Sequence, residues 1–308
     1  MRLLLSALVA AAVSFPATAF ESRRLLIEHE NRTREALIDL SPDVSNAPML
    51  VVLHGGLAGP MTVRRRAGVT LASQGWVVAW PSAVDDWNDG RVDYDGNPYD
   101  TADDIGFLRK MVAELSQRGL VDKDRVFVAG PSIGGVMALN LLCNAPDLVA
   151  GIAVAIASFA KGADCQSGPP RPVIYIHGTD DDIMPPNGGR IGGWNPLVRD
   201  RGYVASVEDT VRHIARRNEC DGFDEAQLPD RVADDESTVV LRTYQGCSEP
   251  VVHYVVNGGG HTWPGAPASR LGRWVGSTNY DFSATKAVEQ FFQNIARGQA
   301  PESKAQGG

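Results

Sequence analysis

The six residues Gly130-Pro131-Ser132-Ile133-Gly134-Gly135 constrain the fold of this chain more than any other stretch. They follow a β-branched and apolar run at 126–129 and open a stretch of small and apolar residues at 134–143. A serine framed by glycines between a strand and a helix is the G-x-S-x-G elbow, which holds a hydroxyl exposed on a tight, strained turn. Gly130 and Gly134 have no Cβ to clash where the strand and helix cross. Ile133 opens the helix, so its N–H can face negative charge developing on an attacked carbonyl.

The rest of the chain repeats the strand-then-helix alternation. Residues 25–29 and 36–40 read as a hairpin turning at Asn31-Arg32. Short apolar runs at 49–53, 76–80, 152–156, 173–176, 239–244 and 251–256 read as further strands. A helix begins at Thr101, with Asp104 three residues on as in a capping box, and Ile105, Leu108, Val112 and Leu115 on one face. Residues 207–218 and 284–296 complete the helical pattern. Strands alternating with helices predict a mostly parallel central sheet with helices on both faces.

The 308 residues, 44% hydrophobic and 21% charged, suit one globular α/β domain. No internal repeat or low-complexity linker divides it. The chain opens with Arg2, an apolar run from 3 to 13 and the small-x-small sequence Ala17-Thr18-Ala19, the pattern of a cleaved export signal. The expected division is a signal at 1–19, a catalytic domain at 20–298 and a flexible tail at 299–308. No later run is long and apolar enough for stable membrane insertion. A net charge of -8 argues against nucleic acid, and Arg64-Arg65-Arg66 reads as a solvated face. Export permits disulfides, and Cys143, Cys165, Cys220 and Cys247 allow three connectivities; the local pairs Cys143–Cys165 and Cys220–Cys247 are the expectation. With no CxxC pair, no metal site is expected.

Serine needs a base. Of six histidines, His213 falls in a helix and His253 in a strand, while His29, His54 and His177 come early. His261 follows Asn257-Gly258-Gly259-Gly260 after the last strand, where an aimed imidazole belongs in the chain order Ser, acid, His. The acid belongs on the loop Gly178-Thr179-Asp180-Asp181-Asp182, and position alone leaves the three aspartates open. The first parallel strand ends in His54-Gly55-Gly56-Leu57, so Gly56 or Leu57 is expected to join Ile133 in the oxyanion hole, with His54 as a buried structural residue.

Leu53-His54-Gly55-Gly56, Asp103 to Phe107, the elbow, His177-Gly178-Thr179-x-Asp181-x-x-x-Pro185 and Gly258-Gly259-Gly260-His261-Thr262-Trp263-Pro264-Gly265 occur in that order. Together they resemble the polyhydroxybutyrate depolymerase and feruloyl esterase family, including the LpqC-type exported esterases, over roughly residues 45–298. The resemblance implies the α/β-hydrolase fold and a secreted serine esterase, periplasmic or extracellular, cutting short or aromatic (feruloyl, acetyl) esters or hydroxyalkanoate oligomers. It places the triad on Ser132, Asp181 and His261, supports a Cys220–Cys247 bridge, and implies no cofactor. A peptidase on the same fold and a non-catalytic binding protein are the rival readings. Pro131, Ile133, Asp182 and Met184 depart from the residues common in the family and bear on substrate preference. Trp263, Trp87 and Trp194 are the expected substrate-contacting aromatics. The acidic stretch 85–104 does not fit a calcium loop and reads as a solvated loop.

Overall fold

The computed structural model describes residues 20–163, 165, 167–193, 201–268 and 272–299. The expected export signal and Trp194 lie outside the described residues, as does all of the expected tail but Gln299.

In chain order the strands are β1 (Glu21–His29), β2 (Arg32–Leu40), β3 (Ala47–Val52), β4 (Val77–Pro81), β5 (Val121–Pro131), β6 (Gly151–Ala155), β7 (Val173–Gly178), the short β8 (Gly189–Arg190) and β9 (Tyr203–Val204), β10 (Gly222–Gln227), β11 (Thr238–Gln245) and β12 (Val251–Asn257). Among the described residues, ten form one sheet in the order β1-β2-β4-β3-β5-β6-β7-β12-β11-β10, while β8 and β9 pair apart. The middle of the sheet, from β4 to β12, is parallel, and its two margins are antiparallel. The mostly parallel centre expected from the alternation is therefore observed. The hairpin turn falls at Glu30 and Asn31, one residue earlier than expected, and both adopt positive φ, as a two-residue turn between twisted strands requires.

Two apolar layers cover the sheet. Helices α2 (Asp104–Gln117), α3 (Ile133–Asn144) and α4 (Val207–Arg217) pack on one face, and α1 (Pro60–Ala67) and α5 (Ala284–Ala296) on the other. The pleat sorts side chains between the layers: Met49 and Val51 face the first, Leu50 and Val52 the second. α3 is buried over most of its length, which explains its apolar and small composition.

Several local expectations change. α2 is capped by Asp103, whose carboxylate accepts the Gly106 N–H, rather than by a Thr101 capping box. Asp104 is then free to turn inward, where it pairs with buried Arg34 at 2.6 Å and accepts the Asn88 N–H at 2.7 Å. The acidic stretch 85–104 is correspondingly not a solvated loop, for Asp86, Asp89 and Asp104 are all buried. Nor is the arginine run wholly solvated: Arg64 in α1 bonds both carboxylate oxygens of buried Asp39. Helix α1 and strand β10 carry no clear sequence period. β10 is exposed throughout and exists by pairing with β11 at the sheet edge, where Asp224 and Glu225 discourage further pairing. The disulfides are Cys143–Cys165 and Cys220–Cys247, the local pairs expected. The first ties the end of α3 to the segment after β6; the second ties the end of α4 to the β11–β12 turn.

Candidate active site

Ser132 sits between β5 and α3 with φ 55° and ψ -132°, a conformation that costs a non-glycine residue of order 1–3 kcal/mol. Close backbone contact holds it there. A Cβ on Gly130 would lie 2.4 Å from the Gly134 carbonyl carbon, and one on Gly134 would lie 2.5 Å from Leu53 O. Helix α3 can approach β5 and β3 only because these positions are glycine. The Ser132 N–H donates to Ala155 O at 2.9 Å, so the serine backbone is pinned to β6.

His261 and Asp181 reach the serine from two loops that lie backbone to backbone. A Cβ on Gly178 would fall 2.1 Å from Gly259 O. Asp180 N–H donates to Gly259 O at 2.9 Å, and Gly258 N–H to Thr179 Oγ1 at 2.9 Å. On its far side the histidine loop is held by 272–277: His261 N–H donates to Val275 O at 2.6 Å and Gly260 N–H to Ser277 O at 2.9 Å. The result is a continuous relay. His261 Nε2 lies 3.0 Å from Ser132 Oγ, and Nδ1 lies 2.8 Å from Asp181 Oδ2. Asp181 is 3% exposed, and its Oδ1 accepts the N–H groups of Ile183 and Met184. Asp180 and Asp182, its neighbours, are exposed.

Gly55 abuts the serine; a Cβ there would be 3.4 Å from Ser132 Cβ. His54 organises this loop. Its Nε2 accepts the Ala83 N–H at 3.1 Å, so the ring carries its proton on Nδ1, which donates to Gly55 O at 3.0 Å. Burial lowers its pKa and keeps the ring neutral, as this pattern needs. Because the peptide is planar and trans, holding the Gly55 carbonyl on one side turns the Gly56 N–H to the other. Leu57 follows with φ 57° and its side chain 96% exposed. Ile133 is the first residue of α3, so its N–H has no partner inside the helix.

The described tryptophans do not stand where a substrate would touch both. Trp87 is fully buried, and its indole N–H donates to His54 O at 2.9 Å. It braces the loop from beneath and offers no surface to a substrate. Trp263 donates its indole N–H to Thr285 Oγ1 in α5 at 3.0 Å and packs half-buried against the second apolar layer, anchoring the histidine loop. Trp274, not among the aromatics expected from the sequence, is 51% exposed on the turn just before Val275, whose carbonyl holds His261. The signal for it was slight: an apolar ring in a Gly- and Ser-rich segment.

Beside the relay lies a buried histidine pair. His177 Nδ1, on β7, is 2.8 Å from His253 Nε2 on β12. Burial pushes the His177 pKa down to about 4 and that of His253 well below its ordinary value. His253 Nδ1 is buried without a partner among the described residues. An unprotonated nitrogen tolerates that better than an N–H, so His253 Nε2 is the donor of the pair.

No protein-family model matches the chain. A protein from Nocardia uniformis subsp. tsuyamanensis named as an esterase, NocK, is 28% identical over 281 residues, covering 84% of this chain and 79% of that protein. Feruloyl esterase B of Piromyces equi is 25% identical over 229 residues, covering 70% of this chain; the chain spans 39% of that protein's length. Among solved structures, an acetyl xylan esterase from Aspergillus awamori superposes with a TM-score of 0.54 at 14% identity, covering 78% of this chain and 94% of the other. The chain has the α/β-hydrolase fold. By sequence the chain is similar to proteins named as esterases, which agrees with the resemblance drawn from its motifs. Among the described residues no helix is long and apolar enough to cross a membrane.

Proposed function

We propose that this protein is an exported serine esterase working through an acyl-enzyme. The relay from Asp181 through His261 to Ser132, at 2.8 and 3.0 Å, carries the proposal. His261 Nε2 takes the Ser132 proton as Oγ attacks the ester carbonyl, and Asp181 stabilises the imidazolium and fixes its tautomer. The N–H of Ile133, with that of Gly56 or Leu57, receives the oxyanion. His261 then protonates the departing alcohol, and afterwards activates the water that releases the acid. The acid–base chemistry is complete within these residues.

Trp274, exposed beside the histidine loop, supports an apolar or aromatic group in the substrate. That suits feruloyl and acetyl esters as well as short hydroxyalkanoates. The two disulfides and the sequence of residues 1–19 support export.

The test is hydrolysis of p-nitrophenyl esters from acetate to octanoate, and of methyl ferulate, by wild type and Ser132→Ala. The expected result is turnover that Ser132→Ala lowers by roughly 10^6 in kcat while the fold survives. Turnover retained in Ser132→Ala overturns the assignment. A folded wild type that labels with a fluorophosphonate yet cleaves only peptides moves the reading to a peptidase, and one that neither labels nor turns over moves it to a binding protein.

A further inference from the structure

Arg201 lies against the oxyanion loop, and its position is built rather than incidental. A Cβ on Gly56 would stand 2.2 Å from Arg201 Nη1 and 3.3 Å from Ile133 Cδ1. Gly56 does not adopt the left-handed backbone that demands glycine. What its missing side chain provides is space, and the guanidinium occupies it. Arg201 therefore places a full positive charge beside the two residues proposed to hold the oxyanion.

The backbone of Arg201 is fixed from below. Its carbonyl accepts Arg91 Nη1–H at 2.5 Å, and the Ile191 N–H donates to Gly202 O at 3.0 Å. Arg91 is 2% exposed and is gripped by Asp89 through Nε at 2.8 Å, with Asp86 at 3.4 Å. Burial pushes the Asp89 carboxyl up to about 6, so this cluster is expensive to assemble. A buried charge cluster is weak support for stability and is better explained by the register it imposes. Here the register is that of the oxyanion loop and Arg201: residues 86–91 touch the loop through Trp87 and Arg201 through Arg91.

Among the described residues the guanidinium itself is poorly matched. Among the described residues its ion pair is with Asp86 Oδ2 at 3.9 Å, beyond hydrogen-bond length, and Arg91 engages the same oxygen. A planar fork of donors beside a reaction centre fits a carboxylate in two-point contact, which a lysine ammonium does not. The chain carries a net charge of -8, so an anionic substrate would need such a local cation to approach.

We infer that Arg201 is a specificity-determining residue that binds a free carboxylate carried by the ester substrate. The inference rests on the esterase reading and narrows it to acidic esters, such as linear hydroxyacid oligomers that end in a free carboxylate. A neutral ester would leave the guanidinium unused.

The experiment compares the linear dimer of 3-hydroxybutyrate as the free acid and as its terminal N-methylamide, with cleavage of the internal ester followed by chromatography. Wild type is expected to favour the acid in kcat/KM by roughly ten- to a hundredfold, the scale of one or two charge-assisted hydrogen bonds, chiefly through KM. Added salt should shrink that ratio. Arg201→Gln should bring the ratio close to one, and Arg201→Lys should keep part of it. A wild type without preference for the acid overturns the inference, as does an unchanged ratio in Arg201→Gln. A purely structural arginine would lower both substrates together and leave the ratio alone. Serine-dependent turnover of p-nitrophenyl acetate is run alongside. If that is absent the esterase reading has failed; if it is present without a charge preference, only the role of Arg201 has failed.

Discussion

Replacing Asp181 by asparagine changes one atom, and the structure dictates what that atom does. Asp181 Oδ1 accepts the N–H groups of Ile183 at 3.0 Å and Met184 at 2.8 Å, so the amide oxygen of an asparagine must take that place. Turning the amide over would set its NH2 against two N–H donors. Losing both bonds at a site 3% exposed costs roughly 2–6 kcal/mol. The NH2 therefore faces His261 Nδ1, where it can only donate. The imidazole must then present a lone pair at Nδ1 and carry its proton on Nε2. That proton points at Ser132 Oγ, 3.0 Å away, where an acceptor is required. In a Ser-His-Asp enzyme the wrong tautomer lowers kcat by about 10^4-fold, and a loss of that order is expected of Asp181→Asn. Size and backbone bonds are kept, so the thermal midpoint should move by only about 2–4 °C, the shift expected per kcal/mol for a domain of this size. Steady-state hydrolysis of p-nitrophenyl acetate, with a circular-dichroism melt on the same samples, makes the measurement. Activity within tenfold of wild type would refute the reasoning. So would an equal loss in Asp180→Asn or Asp182→Asn, whose side chains are exposed.

Other perturbations test the supports of the site. Trp87→Phe removes the donor to His54 O and leaves that buried carbonyl without it; a loss of roughly 1–3 kcal/mol in denaturant unfolding is expected, with kcat falling more than KM rises. Arg34→Met strands the buried Asp104 carboxylate and should destabilise by about 3–5 kcal/mol, while Arg34→Met with Asp104→Asn, which removes the unpaired charge and keeps an acceptor for the Asn88 N–H, should recover part of the loss. His177 is held neutral, with its pKa near 4 against an ordinary 6.5, so between those values the unfolded chain binds the extra proton. Its contribution is full above pH 6.5 and is lost as pH falls toward 4, by roughly 3 kcal/mol in all. Asp89, raised to about 6, slopes the opposite way, so the test is the difference: stability of His177→Gln measured by urea at pH 7.5 and 4.5 should fall less than that of wild type.

Much of this was legible because it is written in short stretches. The elbow reads directly, since a serine between glycines after a strand and before a helix is a local geometry, and the glycines prove to be where backbones touch. His261 was found by its place after the last strand. α1 and β10 were missed because one is short and basic and the other is exposed and exists only as a partner to β11. The expectation for Trp87 failed for a related reason. Burial decides whether an indole meets solvent or core, and Trp87 does not carry its burial in its sequence neighbours.

The sequence by itself determined the alternation of strands and helices and the order of the candidate serine, acid and histidine, because each depends on spacing along the chain; of the three connectivities that four cysteines allow, the structure shows the local one. Position along the chain left three adjacent aspartates open and the motif resemblance pointed to Asp181; only the tertiary structure supplies the physical reason that it meets His261. Asp180, Asp181 and Asp182 are equivalent as text, but a turn buries one carboxylate against two backbone N–H groups and leaves the others in water. Arg201 is the same case over a longer reach. It lies 145 positions from Gly56 and comes to the oxyanion loop through Arg91, whose buried charge is tolerable only inside the folded cluster that surrounds it.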